Sequence, residues 1–145
     1  MADVTTDRLR VRLVTPERIL FEKTADAVEL PSKSGYMEVL YGHAPLLAEL
    51  GAGDVRLHGG ADSGPSGLEI YNVNWGFVEV LPDRVTILAN DALRPDEIDV
   101  PRAEKQLDKG LEMWKDAGDK EKAYDAALRV IAEAEAKLAT AQEKQ

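Results

Sequence analysis

Between Leu9 and Asn90 the chain is written in short runs whose apolar residues recur at every second position, and beyond Asp91 the spacing lengthens to three and four. Leu9, Val11 and Leu13 alternate with Arg10 and Arg12, a period that sends one set of side chains inward and the arginines to water. Thr15-Pro16-Glu17 turns the chain. Strands are expected next over Arg18 to Glu22 and Ala27 to Leu30, ended by Pro31 and the Ser32-Lys33-Ser34-Gly35 turn. Met37 to Tyr41 follows, then Val55 to His58, a glycine- and serine-rich loop from Gly59 to Gly67, and strands over Leu68 to Val73, Gly76 to Leu81 and Arg84 to Ala89. Gly76 inside a strand pattern points to a bulge or a close backbone approach. Seven or more short strands without an intervening helix predict an antiparallel β-sandwich over residues 1–90.

Residues 91–145 read as a second domain, an antiparallel two-helix hairpin. Pro95, Asp96 and Asp99 are helix-start signals, and Pro101 is tolerated only in a first turn. Val100, Ala103, Leu107, Leu111 and Trp114 form one apolar stripe, and Gly118 ends the helix. The second helix, from about Lys120 to Ala141, carries the stripe Tyr124, Ala127, Leu128, Ile131, Ala134, Leu138 and Ala141. Three of its seven residues are alanine, and burying one methyl contributes only about 0.8 kcal/mol. A modest margin holding the hairpin shut is therefore expected.

Between Gly35 and Asp54 the grammar is more unusual. The apolar run halts at Gly42-His43, Pro45 removes a backbone donor, and Leu46, Leu47 and Leu50 bring apolar side chains back before Gly51 and Gly53 allow a reversal. The expected result is a tight surface corner holding an imidazole and pinned by buried leucines. Gly42-His43-Ala44-Pro45-Leu46-Leu47 resembles the corner of a known family, the epsilon subunit of rotary F-type ATP synthases. Two further segments agree in order and spacing: Asn74-Trp75-Gly76-Phe77-Val78-Glu79-Val80 with Val85-Thr86-Ile87-Leu88-Ala89, and Ile98-Asp99-Val100-Pro101-Arg102-Ala103. The chain departs from the family pattern at Tyr36, where glutamate is usual, at Glu38 (glycine) and at Tyr41 (proline).

The resemblance implies a non-catalytic central-stalk subunit that couples rotation to ATP synthesis in a proton-translocating enzyme. Its implied partners are the central-shaft gamma subunit and the membrane rotor ring, with the catalytic subunits added if the hairpin extends to block ATP hydrolysis. It makes Tyr41, His43 and Leu46 rotor-interface candidates and implies a peripheral place on the cytoplasmic face of the cell membrane. In some relatives the Asp-x-x-Arg-Ala pattern helps bind ATP at the hairpin, which makes Asp99, Arg102, Ala103 and Arg129 nucleotide-binding candidates. Lys109 stands where the first helix would carry an arginine, Leu93 replaces an acidic member, and lysine does not reproduce arginine's fork. ATP is therefore expected only as a weak regulatory ligand, and no cofactor is otherwise expected.

Composition removes rivals more than it selects a function. The 145 residues, 44% of them hydrophobic, suit a chain that buries a core. No apolar run approaches the roughly 18 residues that span a bilayer, so direct membrane insertion is not expected. The polar start Met1 to Thr6 lacks the features of a signal peptide. Zero cysteines fit a reducing compartment. A net charge of −9 repels phosphate backbones, which disfavours nucleic acid.

Only two histidines exist, and neither has a second ligand or nucleophile at a usable spacing, so no catalytic or metal site is expected. His58 reads as a solvated surface residue, while His43 divides evenly between a backbone-bonded turn residue and an interface role. Against that nucleotide reading stands a plain helix start, in which Asp99 caps free amides and Arg102 pairs with a carboxylate. Trp75 and Trp114 are expected to pack in a core or domain interface. The alternative to the stalk subunit is a free-standing ligand-binding β-sandwich with a helical dimerisation tail.

Overall fold

The computed structural model describes residues 8–60 and 67–142. The polar N-terminal stretch and most of the loop expected over Gly59 to Gly67 lie outside them. Eight strands precede two helices: β1 (Leu9–Val14), β2 (Ile19–Ala25), β3 (Ala27–Ser32), β4 (Gly35–Leu40), β5 (Leu46–Leu50), β6 (Gly53–His58), β7 (Leu68–Leu81), β8 (Arg84–Leu93), α1 (Val100–Ala117) and α2 (Glu121–Gln142), with a 3-10 turn over Pro95–Glu97. A division after Ala92 separates two compact units.

The strands hydrogen-bond in the order β2-β1-β8-β7-β5-β3-β4, and β6 pairs with β3 and β7. The sheet is mixed, because β1 runs parallel to β8 with Val11 beside Val85 and Leu13 beside Ile87, while its other edge pairs antiparallel with β2. The alternation read from the sequence sets the core. Leu9, Val11, Leu13, Val28, Leu30, Val39, Leu50, Val55, Leu57, Val73, Val78, Val85 and Ile87 are fully buried.

Two strand expectations are corrected. Pro31 does not end β3; it lies within it, where its missing N–H is tolerated and its carbonyl accepts the Gly51 N–H at 2.8 Å. Leu68 to Leu81 is one bent strand. Its first half pairs with β6 and its second with β5, and the change of partner falls at Trp75 and Gly76, opposite the Gly51-Ala52 break between β5 and β6. Gly76 has φ 130°, and a Cβ there would lie 1.9 Å from the Leu88 carbonyl oxygen. The close approach read from its position is real.

In the second unit Asp99 caps α1, its carboxylate accepting the Arg102 N–H at 3.1 Å, and Pro101 sits in the first turn. On α1 the buried positions keep only Ala103 of the predicted stripe, while on α2 the predicted Ala127 and Ala134 are buried. Ala103, Gly110 and Ala117 on α1 and Ala127, Ala134 and Thr140 on α2 are the buried positions, while Val100, Leu111, Trp114, Tyr124 and Leu128 stay exposed. At 3.6 residues per turn the large apolar residues of α1 are rotated by roughly 70° from its seam. Small residues win the seam because they let the two backbones approach, and a Cβ on Gly110 would already lie 2.8 Å from Ile131 Cγ1.

Candidate functional site

The corner between β4 and β5 is fixed by its own backbone. Gly42 takes φ 89° and donates its N–H to the Pro82 carbonyl at 2.7 Å, and His43 N–H donates to Leu40 at 3.1 Å. The His43 ring bonds its Nδ1 to the Ala44 carbonyl at 2.7 Å, which assigns the proton to that nitrogen. Its imidazole is thus a half-buried brace for the turn. Around it Leu40, Tyr41, Leu46 and Leu47 are exposed, Leu46 by 40% and Leu47 by 70%.

The expectation of buried leucines holds only for Leu50. In a strand, Leu46, Ala48 and Leu50 share one face and Leu47 and Glu49 the other, so two adjacent leucines cannot both point inward. Leu47 sits opposite Glu79 of β7 on the solvent side. The doubled leucine in the sequence therefore marks one apolar side chain, Leu47, on the solvent face.

The structure brings Tyr41, His43 and Leu46 to one corner. Asp99, Arg102 and Ala103 share the start of α1, where Asp99 is occupied as a cap and Ala103 is buried in the seam. Arg129 lies elsewhere along α2, 3.9 Å from Glu133 and one residue from Val130, which faces Gly110. Arg102 is two turns from Gly110, roughly 12 Å along the axis. The four candidates do not converge on one point.

Other polar groups are paired for structure. His58 is not simply solvated, since its Nε2 lies 2.6 Å from Glu29 Oε1. Lys23 donates to Glu69 at 2.6 Å and to Tyr71 Oη at 3.3 Å, and Tyr71 donates to Glu69 at 2.8 Å. Burial alone would lower the Lys23 ammonium, but its bonds to Glu69 and Tyr71 outweigh that and hold its pKa above the ordinary value. Tyr71 is also raised, first by burial and then by Glu69, with Lys23 opposing.

Both tryptophans lie outside the cores. Trp75 is half-buried beside the break between β5 and β6, and Trp114 is 44% exposed with its ring 6.5 Å from that of Tyr124. Among the described residues no group of three His, Cys, Asp or Glu side chains is placed to hold a metal ion, and no helix is long and apolar enough to cross a membrane. The corner leaves apolar side chains exposed beside a backbone-bonded turn.

Residues 8–95 match the family model for the ATP synthase delta/epsilon chain, β-sandwich domain. The ATP synthase epsilon chain of Solibacter usitatus is 38% identical over 140 residues, covering 95% of this chain and 98% of that one. The epsilon chain of Koribacter versatilis is 40% identical over 99 residues, 68% of this chain and 66% of the other. Among solved structures, a chain in the Euglena gracilis mitochondrial ATP synthase (OSCP/F1/c-ring, rotational state 1) superposes with a TM-score of 0.73 at 18% identity. That alignment covers 95% of this chain and 81% of the other, and carries a likeness of fold.

Proposed function

The chain belongs to the epsilon-chain family of ATP synthase, a non-catalytic component of the central stalk, and from that membership we propose how it is held there. The corner bearing Tyr41, His43 and Leu46 docks on the other rotor components, the gamma shaft and the membrane ring. This places the chain peripherally, at the cytoplasmic face of the cell membrane.

The observation that carries the reading is the combination of rigidity and exposure. Exposed Leu40, Tyr41, Leu46 and Leu47 flank a turn locked by Gly42, His43 and the Pro82 carbonyl. Exposed apolar clusters on a fixed frame are what a protein interface requires. Coupling rotation to synthesis asks for a stiff body and a complementary surface, with no bond-making by this chain.

Residues 1–90 then form the docking domain and 91–145 a regulatory one. The hairpin acts on ATP hydrolysis through the catalytic subunits. Its alanine and glycine seam supports an element held by a small margin. ATP is at most a weak ligand of the hairpin, because Asp99 already caps α1 and Arg129 lies near Glu133.

The test is rebinding to a complex stripped of this subunit. A Tyr41→Glu/Leu46→Asp chain with an unchanged circular dichroism spectrum is expected to bind at least about tenfold more weakly than the parent, as for loss of interface anchors. Equal binding by the two would remove the corner from the interface.

A further inference from the structure

The parallel ladder between β1 and β8 sets like charges side by side. Arg10 is the direct partner of Arg84 and Arg12 that of Thr86, and the buried Val11 and Val85 between them turn all four to the outer face. Neighbouring strands lie about 4.8 Å apart, so two guanidiniums stand across one rung, which costs stability unless something negative lies between them. The fold does not ask for this. Any exposed polar side chain at Arg10 or Arg84 would serve the alternation as well.

The carboxylates nearby do not neutralise the cluster. Arg12 lies 3.2 Å from Glu22, with both side chains about half-exposed. Arg84 reaches only Asp83, at 4.0 Å, the outer limit of an ion pair. Arg10 donates its backbone N–H to the Asp83 carbonyl at 3.0 Å, but its guanidinium meets no carboxylate among the described residues. Arg10, Arg12, Arg84, Thr86, Glu22 and Glu79 line one open cleft of about 250 Å³, and Tyr41, His43 and Leu46 do not border it. Within a chain of net charge −9, that cleft gathers three positive groups against two negative ones.

We propose that this cleft binds a phosphate-class oxyanion, held by Arg10 and Arg84 and bonded by the Thr86 hydroxyl. A guanidinium presents a planar fork that takes two oxygens of one anion, and a tetrahedral dianion has oxygens enough for two forks and a hydroxyl together. A monocarboxylate fills one fork and leaves the other arginine facing its twin. Arg12 is held by Glu22, so it adds to the positive field without being a direct ligand. Glu79 opposes the anion, and the charged groups face water, so binding is weak and screened by salt. Free phosphate and a phospholipid headgroup both carry this chemistry, and the test separates them. The inference does not depend on the docking proposed for the corner between β4 and β5.

Amide NMR of the full chain, titrated with sodium phosphate near neutral pH while sodium chloride holds the ionic strength at about 50 mM, tests it. Saturating shifts are expected at the amides of Arg10 to Arg12 and Arg84 to Thr86, with a Kd of about 0.5–5 mM. Arg10→Gln or Arg84→Gln should weaken binding at least about fivefold. Glu79→Gln should tighten it about two- to threefold, a gain that a purely structural glutamate would not give. That variant also keeps the test open if an arginine variant fails to fold. Flotation with phosphatidylcholine vesicles containing phosphatidic acid is the second arm: capture of the parent but not of Arg10→Gln supports a headgroup as the source, and amide shifts without capture support free phosphate. Shifts that chloride alone reproduces, shifts that survive Arg10→Gln and Arg84→Gln, equal affinity in Glu79→Gln, equal capture of Arg10→Gln, or neither saturation nor capture would each overturn the proposal.

Discussion

Single residues set this sandwich's tolerances. Gly76 has both a positive φ and a carbonyl oxygen 1.9 Å from where a Cβ would stand, so Gly76→Ala must move backbone. It is expected to cost about 3 kcal/mol, read as a lower urea midpoint with an unchanged slope. The Lys23–Glu69–Tyr71 cluster sets the alkaline limit. A lysine whose folded pKa is raised holds its stability below the unfolded value of about 10.4 and loses it as pH climbs through the folded one. A tyrosine kept neutral by burial likewise loses stability above about pH 10. Both raised values therefore act in one window. Tyr71→Phe removes one titration and part of the other's cause, so its melting temperature should fall less than the parent's between about pH 8 and pH 11. An equal fall would place the alkaline sensitivity elsewhere.

For whole elements, local pattern was legible and partner choice was not. The alternation in β1 named its buried residues correctly because a strand's faces are fixed by parity alone. The parallel pairing of β1 with β8 could not be read, since nothing near Leu9 encodes a neighbour beyond Arg84. Parity alone turns Leu47 to the solvent side, whereas Leu46 shares a face with buried Leu50 and is left 40% exposed at the start of the strand, so the corner is apolar on its outside. Trp75 gave no sign of positive φ, because its bend comes from the β5–β6 break across the ladder. In α1 the stripe followed side-chain size whereas the seam followed smallness. Gly110→Leu tests that seam: pushed against Ile131 and Val130, it should destabilise the hairpin by about 1–3 kcal/mol, seen as an earlier melt of the helical signal. An unchanged melt would mean the seam can open without cost.

At the scale of the molecule, the two units carry separate duties in the reading proposed above. An assembled enzyme whose copy of this chain ends at Ala92 is expected to hydrolyse ATP faster, by about two- to fivefold, because a near-neutral second helix gives a catalytic partner little charge to grip. A rise of a hundredfold would show a far stronger brake, and no rise would remove the regulatory role. Adding millimolar ATP to the isolated chain should shift the hairpin's melt by less than about 1 °C, since a ligand near or below half-saturation stabilises little.

The pairing of β1 with β8 bears on how the protein is made. A ribosome delivers Leu9–Val14 early and Arg84–Leu93 late, so until the later segment emerges the first has only β2 beside it. One of its edges meanwhile stays open to any passing strand. Nascent chains stalled before Arg84 should therefore be sticky, and release of the finished one should coincide with closure of the sheet.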